Sequence, residues 1–232
     1  MSASAIWRVC LAAALFVGAA AIVAAKGGAL IGGYDAAYAD NALRAAAVAE
    51  KDSARDKALA QALAYIDNGL RMSPGDPRLW GLRAEALLRQ ALNGGPAPRP
   101  NLLSASVLAS KRAVATAPND SAVQARLALV LALEGQRAAA AAALSRSYEL
   151  DITSDAFGHR RLEAAGRAWA ELGAAGQRNV VNEACMLAAR SPEDRARMQR
   201  LRFGAADAGM ALTLDDVLAD GACRGAEALS PS

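Results

Sequence analysis

Apolar residues along this chain fall into two regimes. From Val9 to Ala25 they run without a charge (VCLAAALFVGAAAIVAA), bounded by Arg8 and Lys26. After Asp35 they recur every three or four positions, the period of a helix with one buried face. That period predicts helices near 36–50, 54–72, 77–92, 102–117, 120–134, 137–150, 155–172, 175–189, 192–204 and 213–220. Ser53-x-x-Asp56, Ser191-Pro192-x-Asp194 and Thr213-x-x-Asp216 mark helix starts, where a side-chain oxygen accepts from amides that lack an intrahelical partner. Asp76-Pro77 marks another, with proline where its missing N–H costs nothing. Gly135 and Gly173 sit where one helix ends and the next turns back. The segment 93–101 (NGGPAPRPN) is the one obvious loop insertion, and short links elsewhere imply antiparallel neighbours.

The 17 residues of the N-terminal run span about 26 Å as a helix, close to the hydrocarbon thickness of a bilayer, about 30 Å. Trp7 and Arg8 suit the interface beside it. Two readings stay open, an uncleaved anchor and a cleaved signal segment with Val23-Ala24-Ala25 ahead of the cut. The anchor is preferred, because the run is long for a signal segment and the better A-x-A match, Ala37-Tyr38-Ala39, lies too far downstream. Positive charge at the N-terminus and Arg8, against Asp35 and Asp40 beyond Lys26, puts the N-terminus in the cytoplasm and the remainder across the membrane. Gly28-x-x-x-Gly32 reads as juxtamembrane linker. The chain thus divides into an anchor and linker at 1–34, helical repeats at 35–152 and a C-terminal helical cap at 153–232.

Composition points the same way. Of the 232 residues 54% are hydrophobic but only 4% aromatic, so alanine and leucine, both good helix formers, supply the apolar surface. Strand-favouring residues are scarce, and the expected fold class is all-α. The net charge of +3 is small. Arginines between Arg160 and Arg202 alternate with Glu163, Glu171, Glu183, Glu193 and Asp194, which reads as a solvated helix surface and not as a nucleic-acid stripe.

Within the helical series lies a repeat. The segment Ala64–Leu88 (AYIDNGLRMSPGDPRLWGLRAEALL) resembles the tetratricopeptide junction, in which a helix ends at a proline and an aromatic residue follows six positions later, here Pro74 and Trp80. Ser110–Gln136 repeats it with Ala113, Pro118, Leu127, Ala128 and Gly135, but Gln124 stands in the aromatic position. A degraded third junction, without proline, follows Tyr148-Glu149-Leu150-Asp151. The prolines are 44 positions apart, against a family period of about 34, and the 93–101 loop accounts for the surplus. The resemblance covers about 40–152. It implies stacked helix pairs, with small residues such as Ala62, Ala84 and Ala128 at the close approaches. The C-terminal helices, around Arg161-Leu162, Trp169 and Val180-Val181, resemble tail helices of membrane-anchored repeat proteins linked to bacterial envelope polysaccharide.

In tetratricopeptide-like proteins the inner helices bind peptides, and the resemblance carries that role to Arg78, Gly81, Glu85, Leu88 and Arg89 in one repeat and to Ala122, Ala125, Leu129 and Leu133 in the next. Arg78 or Arg89 would pair with carboxylates of a partner. Alternatively the C-terminal helices fill that groove. Cys10 reads as a small hydrophobe inside the apolar run, whereas Cys185 and Cys223 form a possible disulfide in an oxidising compartment. His159, the only histidine, lies near a helix start without a Ser or Cys nucleophile motif, and reads as a surface or packing residue. Asp215-Asp216 point apart on a helix, and Glu149 and Asp151 read as solvated. Phosphate-loop, dinucleotide and Cys-x-x-Cys motifs are absent. No metal, cofactor or catalytic residue is expected. The expectation is a single-pass inner-membrane scaffold with its helical part in the periplasm, binding protein or peptide partners. The alternatives are a glycan-acting or cell-wall-acting enzyme using Glu163 or Glu171, and a structural subunit of a membrane complex.

Overall fold

A computed structural model describes residues 32–93, 97–152, 154, 157–204, 209 and 215, with the helix alone described over 201–204. Every regular element among them is a helix. In chain order these are α1 (32–48), α2 (Asp52–Met72), α3 (Pro77–Leu92), α4 (Pro100–Thr116), α5 (Ser121–Leu133), α6 (Arg137–Leu150), α7 (Gly158–Ala168), α8 (Ala174–Arg190) and α9 (Pro192–Gly204). A single 3₁₀ turn, Trp169–Glu171, follows α7 where the periodicity predicts helix to 172. No helix among the described residues is long and apolar enough to cross a membrane. The Val9–Ala25 run, Cys223, the Thr213 box and the 213–220 helix lie outside the residues that can be described. The structure separates into two compact units between Leu82 and Arg83, within α3.

In the first unit, buried Ala36, Ala39, Leu43 and Ala46 on α1 keep the three-and-four spacing, and α2 buries Leu59, Ala62, Ile66, Gly69 and Leu70. Gly69 permits a close meeting: a Cβ there would lie 2.9 Å from Leu79 Cδ1 and 3.1 Å from Asp35 Cβ. The buried Asp35 carboxylate is satisfied by Asn68 Nδ2 at 2.7 Å. The start of α2 departs from expectation. Ser53 is already inside the helix, and Lys51 occupies the cap position without a side-chain hydrogen bond. Asp52 takes over that end, in the first turn where the helix dipole favours an anion, and accepts from Arg55 Nη1 at 2.9 Å.

Two junctions share their main hydrogen bonds. Ser73 and Ala117 end α2 and α4 with the same dihedrals (φ −139°, ψ 72° and φ −139°, ψ 69°), and each N–H donates four residues back, to Gly69 and Ala113. Asp76 and Asp120 then cap the following helices, accepting from the Arg78 and Ala122 amides at 2.8 and 2.9 Å. Trp80 Nε1 donates to the Pro74 carbonyl at 2.8 Å, and Gln124 Nε2 donates to the Pro118 carbonyl at 3.0 Å. A third helix end, with the same Asp151-to-Ser147 hydrogen bond but more extended dihedrals (φ −157°, ψ 110°), follows Ala117 after 34 positions (151 − 117). Between the first two, the Arg99 amide donates to the Ala91 carbonyl at 2.9 Å, so the inserted loop closes on its own base and α4 begins directly after it at Pro100.

In the second unit α5 is central. It buries Val123, Gln124, Ala125 and every residue from Leu127 to Ala132, and it packs against α4, α6 and α7. A helix apolar all round belongs in an interior. Gly135, at φ 84°, turns the chain from α5 into α6. The Gly135 and Gln136 amides donate to Ala132 and Leu131 at 3.2 and 2.9 Å, satisfying carbonyls that the helix end leaves over. Helix α7 packs on α5 and α6, and α8 on α6 and α7. Helix α9 closes against α7 and α8. The Ser191 hydroxyl caps α9 by accepting from the Asp194 amide at 3.0 Å, as the sequence pattern predicts.

Candidate functional site

The first turn of α7 is held by a buried polar cluster. Arg161 is fully buried among apolar helices and uses its whole guanidinium. Nε donates to Ser147 Oγ at 3.0 Å and Nη1 to Glu183 Oε1 at 3.1 Å. Nη2 donates to the Ser147 and Asp151 carbonyls at 3.0 and 2.7 Å. Its plane also lies 4.5 and 4.6 Å from the Tyr148 and Phe157 ring centroids. Tyr148 Oη donates to the other Glu183 oxygen at 2.7 Å. Burial lifts the Glu183 carboxyl above its ordinary range despite Tyr148 and Arg161. Burial likewise lifts the Tyr148 hydroxyl, with Glu183 adding to the effect. Gly158 lets α7 approach, since a Cβ there would lie 3.1 Å from Glu183 Oε1 and from Leu187 Cδ1. The expectation that Glu183 belongs to a solvated face is therefore corrected. It is 1% exposed, because its partner Arg161 comes from another helix and not from its own charged row.

That cluster fixes the neighbouring Arg160, which points to a second group of charges. Arg160 Nη2 lies 3.0 Å from Glu85 Oε2, Arg89 Nε 2.8 Å from Glu85 Oε1, and Arg126 Nε 3.9 Å from Glu85 Oε2. Three guanidinium groups from α7, α3 and α5 thus surround one carboxylate that is 11% exposed. Burial pushes the Glu85 carboxyl up, but Arg160, Arg89 and Arg126 together outweigh it and hold the group below its usual range. Arg126 is weakened as a cation, first by burial and then by Arg160, and its Nε has no hydrogen-bond partner among the described residues. Glu163 is raised by burial, against the opposing pull of Arg167, Arg197 and Arg160.

Arg160 also lines a recess of about 580 Å³ between the start of α7 and the turn from α8 to α9. His159 and Phe157 line it from the α7 side; Arg190, Ser191, Glu193, Asp194 and Arg197 line it from the other. His159 Nε2 lies 2.8 Å from Asp194 Oδ1, and its Nδ1 has no partner among the described residues. The hydrogen bond from His159, and then that from Ser191, lowers the Asp194 carboxyl. Serine, aspartate and histidine meet here in an order that does not activate a nucleophile. The Ser191 hydroxyl donates to Asp194 at 3.0 Å and not to the imidazole, unlike the serine of a catalytic triad.

The sequence-predicted groove residues separate. Arg78 is exposed and Gly81 buried in the first unit. In the second, Leu88, Ala125 and Leu129 are buried, and Leu133 packs partly buried against the core. Helix α7, from the C-terminal part, packs against α5. Only Glu85 and Arg89 of the set join the charged group. Cys185 is buried in the core. Glu171 and Glu193 are exposed, as a solvated face requires. Residues that the pattern did not single out are Arg126, Arg160, Arg190 and Arg197. Their even spread through the sequence hides that four helices bring them together. The chain matches no protein-family model, and no curated protein matches it.

Proposed function

We propose that this chain is a tetratricopeptide-like scaffold of the bacterial envelope, held at the inner membrane by the Val9–Ala25 segment and docking protein partners on its exported helices. What supports it most is the repeated junction: Trp80 and Gln124 make the same hydrogen bond to a proline carbonyl six residues back, within matched caps. The helix end at Asp151 recurs after 34 positions (151 − 117), the period of the tetratricopeptide family. Partner docking then falls on the charged surface of α3, α7, α8 and α9, because the apolar face of α5 is already covered. The mechanism is non-covalent: the anchor concentrates partners at one membrane, and no bond is made or broken. A role beside envelope polysaccharide follows from the resemblance of the tail helices.

Fractionation of cells expressing the full chain tests the placement. The protein should resist alkaline extraction from inner membranes, retain its N-terminal segment by N-terminal sequencing, and expose its helical part to protease only once the outer membrane is opened. A freely extractable protein whose helical part stays protected would overturn it. In-cell cross-linking tests the scaffold role, which fails if the wild-type chain captures no protein.

A further inference from the structure

We infer that the recess between the start of α7 and the α8–α9 turn binds the carboxylates of an acidic segment of a partner protein, an assignment that rests on the scaffold reading. Its volume, about 580 Å³, is ample for side chains of a bound segment. Its charge is unbalanced. With the adjoining Glu85 group, the arginines at 89, 126, 160, 190 and 197 face Glu85, Asp120, Glu193 and Asp194, five positive charges against four negative. Glu163 and Arg167 beside them cancel.

Two of the native carboxylates are also spoken for, whereas Glu193 is exposed at the recess. Asp194 gives one oxygen to His159 and the other to Ser191, and Glu85 is shared by three arginines. Arg197 is exposed and makes no hydrogen bond or ion pair among the described residues. It is the guanidinium most available to an incoming anion, and its planar fork matches a carboxylate. Glu85 is the internal precedent, since Arg89 and Arg160 already grip its carboxylate at 2.8 and 3.0 Å. Arg160 belongs to both groups, so an extended acidic segment that enters at Arg197 also meets Arg160 and Arg190 within the same recess.

The purified full chain in detergent, titrated into a fluorescein-labelled hexaglutamate peptide at low salt, tests this by fluorescence anisotropy. Binding is expected, with Arg197→Glu weakening it about tenfold or more and Arg197→Lys retaining most of it. Arg44→Glu, an equal change of net charge on α1, should leave it unchanged, and a hexaglutamine peptide should not bind. Thermal melting checks that the exposed Arg197 variants remain folded. The assignment is overturned if hexaglutamate does not bind, if Arg44→Glu weakens binding as much as Arg197→Glu, or if inorganic phosphate or phosphatidylglycerol vesicles displace the peptide at equal charge concentration. Cross-linking in cells separates the two ideas. Partner capture that Arg197→Glu leaves intact overturns this site alone, whereas no capture by the wild type overturns the scaffold.

Discussion

Gln124 does for the second helix junction what Trp80 does for the first: an N–H at the end of the side chain reaches the carbonyl of a proline six residues earlier. An indole and a primary amide share little in shape, yet both place a donor about one helical turn beyond the backbone. What the two junctions repeat is therefore a hydrogen bond, and the aromatic ring is one of two ways to make it.

That bond carries a measurable share of stability. Trp80→Phe keeps an aromatic ring and removes the donor, and Gln124→Ala removes the donor and the stem. Each should cost about 1 kcal/mol, seen as an earlier urea midpoint. Equal midpoints for wild type and Gln124→Ala would show that the match is geometric only.

Breaking the buried pair should be far more costly. Arg161→Met leaves the Glu183 carboxylate without its cation in a site that is 1% exposed, and a loss of about 3–5 kcal/mol is expected. Adding Glu183→Leu should recover part of that loss, since no buried charge then remains. A double-mutant cycle by chemical unfolding reads the coupling, and strict additivity of the two changes would contradict the geometry.

Two glycines with equally open surroundings should respond differently to alanine. A Cβ at Gly135 or Gly173 meets nothing within 4 Å. Gly135, however, sits at φ 84°, where an L-residue is strained, whereas Gly173 sits at φ −66°. Gly135→Ala should therefore cost about 1–2 kcal/mol and Gly173→Ala much less, read as melting temperatures.

Stability should vary with pH in two opposed ways. Glu183 and Glu163 are raised from 4.5, so the folded chain binds their protons more tightly than the unfolded chain. Their contribution is greatest at low pH and declines as pH climbs from 4.5 through the raised values. Glu85 and Asp194 are lowered from 4.5 and 3.8, so theirs is complete above those values and lost below them. Urea midpoints followed from about pH 3 to pH 8 should show the decline shrinking in Glu183→Gln and the acid loss shrinking in Asp194→Asn. Identical profiles for wild type and Glu183→Gln would contradict the burial of that carboxyl.

The helices were largely legible from apolar spacing, because period and punctuation are local: Asp76-Pro77, Ser191 and Gly135 act where the pattern places them. Ser53 misled because Asp52, one position earlier, can open the helix as well. The charged site was not legible. Arg161 and Glu183 are 22 residues apart and belong to different helices, so each looks like an ordinary member of its own polar face. The recess joins residues 157–160 to 190–197, a pairing decided by how α7, α8 and α9 pack, and no local signal encodes that packing. Leu88, Ala125 and Leu129 carry the same ambiguity, since a groove and a core are written in the same residues.

Half of the buried apolar residues are alanine, a knob so short that it does little to stop neighbouring helices from slipping by a residue. Arg161 forbids the slip. Its four acceptors come from α6, from the link after it and from α8, and any shift would strand a cation in a dry interior. One guanidinium thus acts as the dowel that sets the alignment of the last helices, and with it the spacing of the arginines they display.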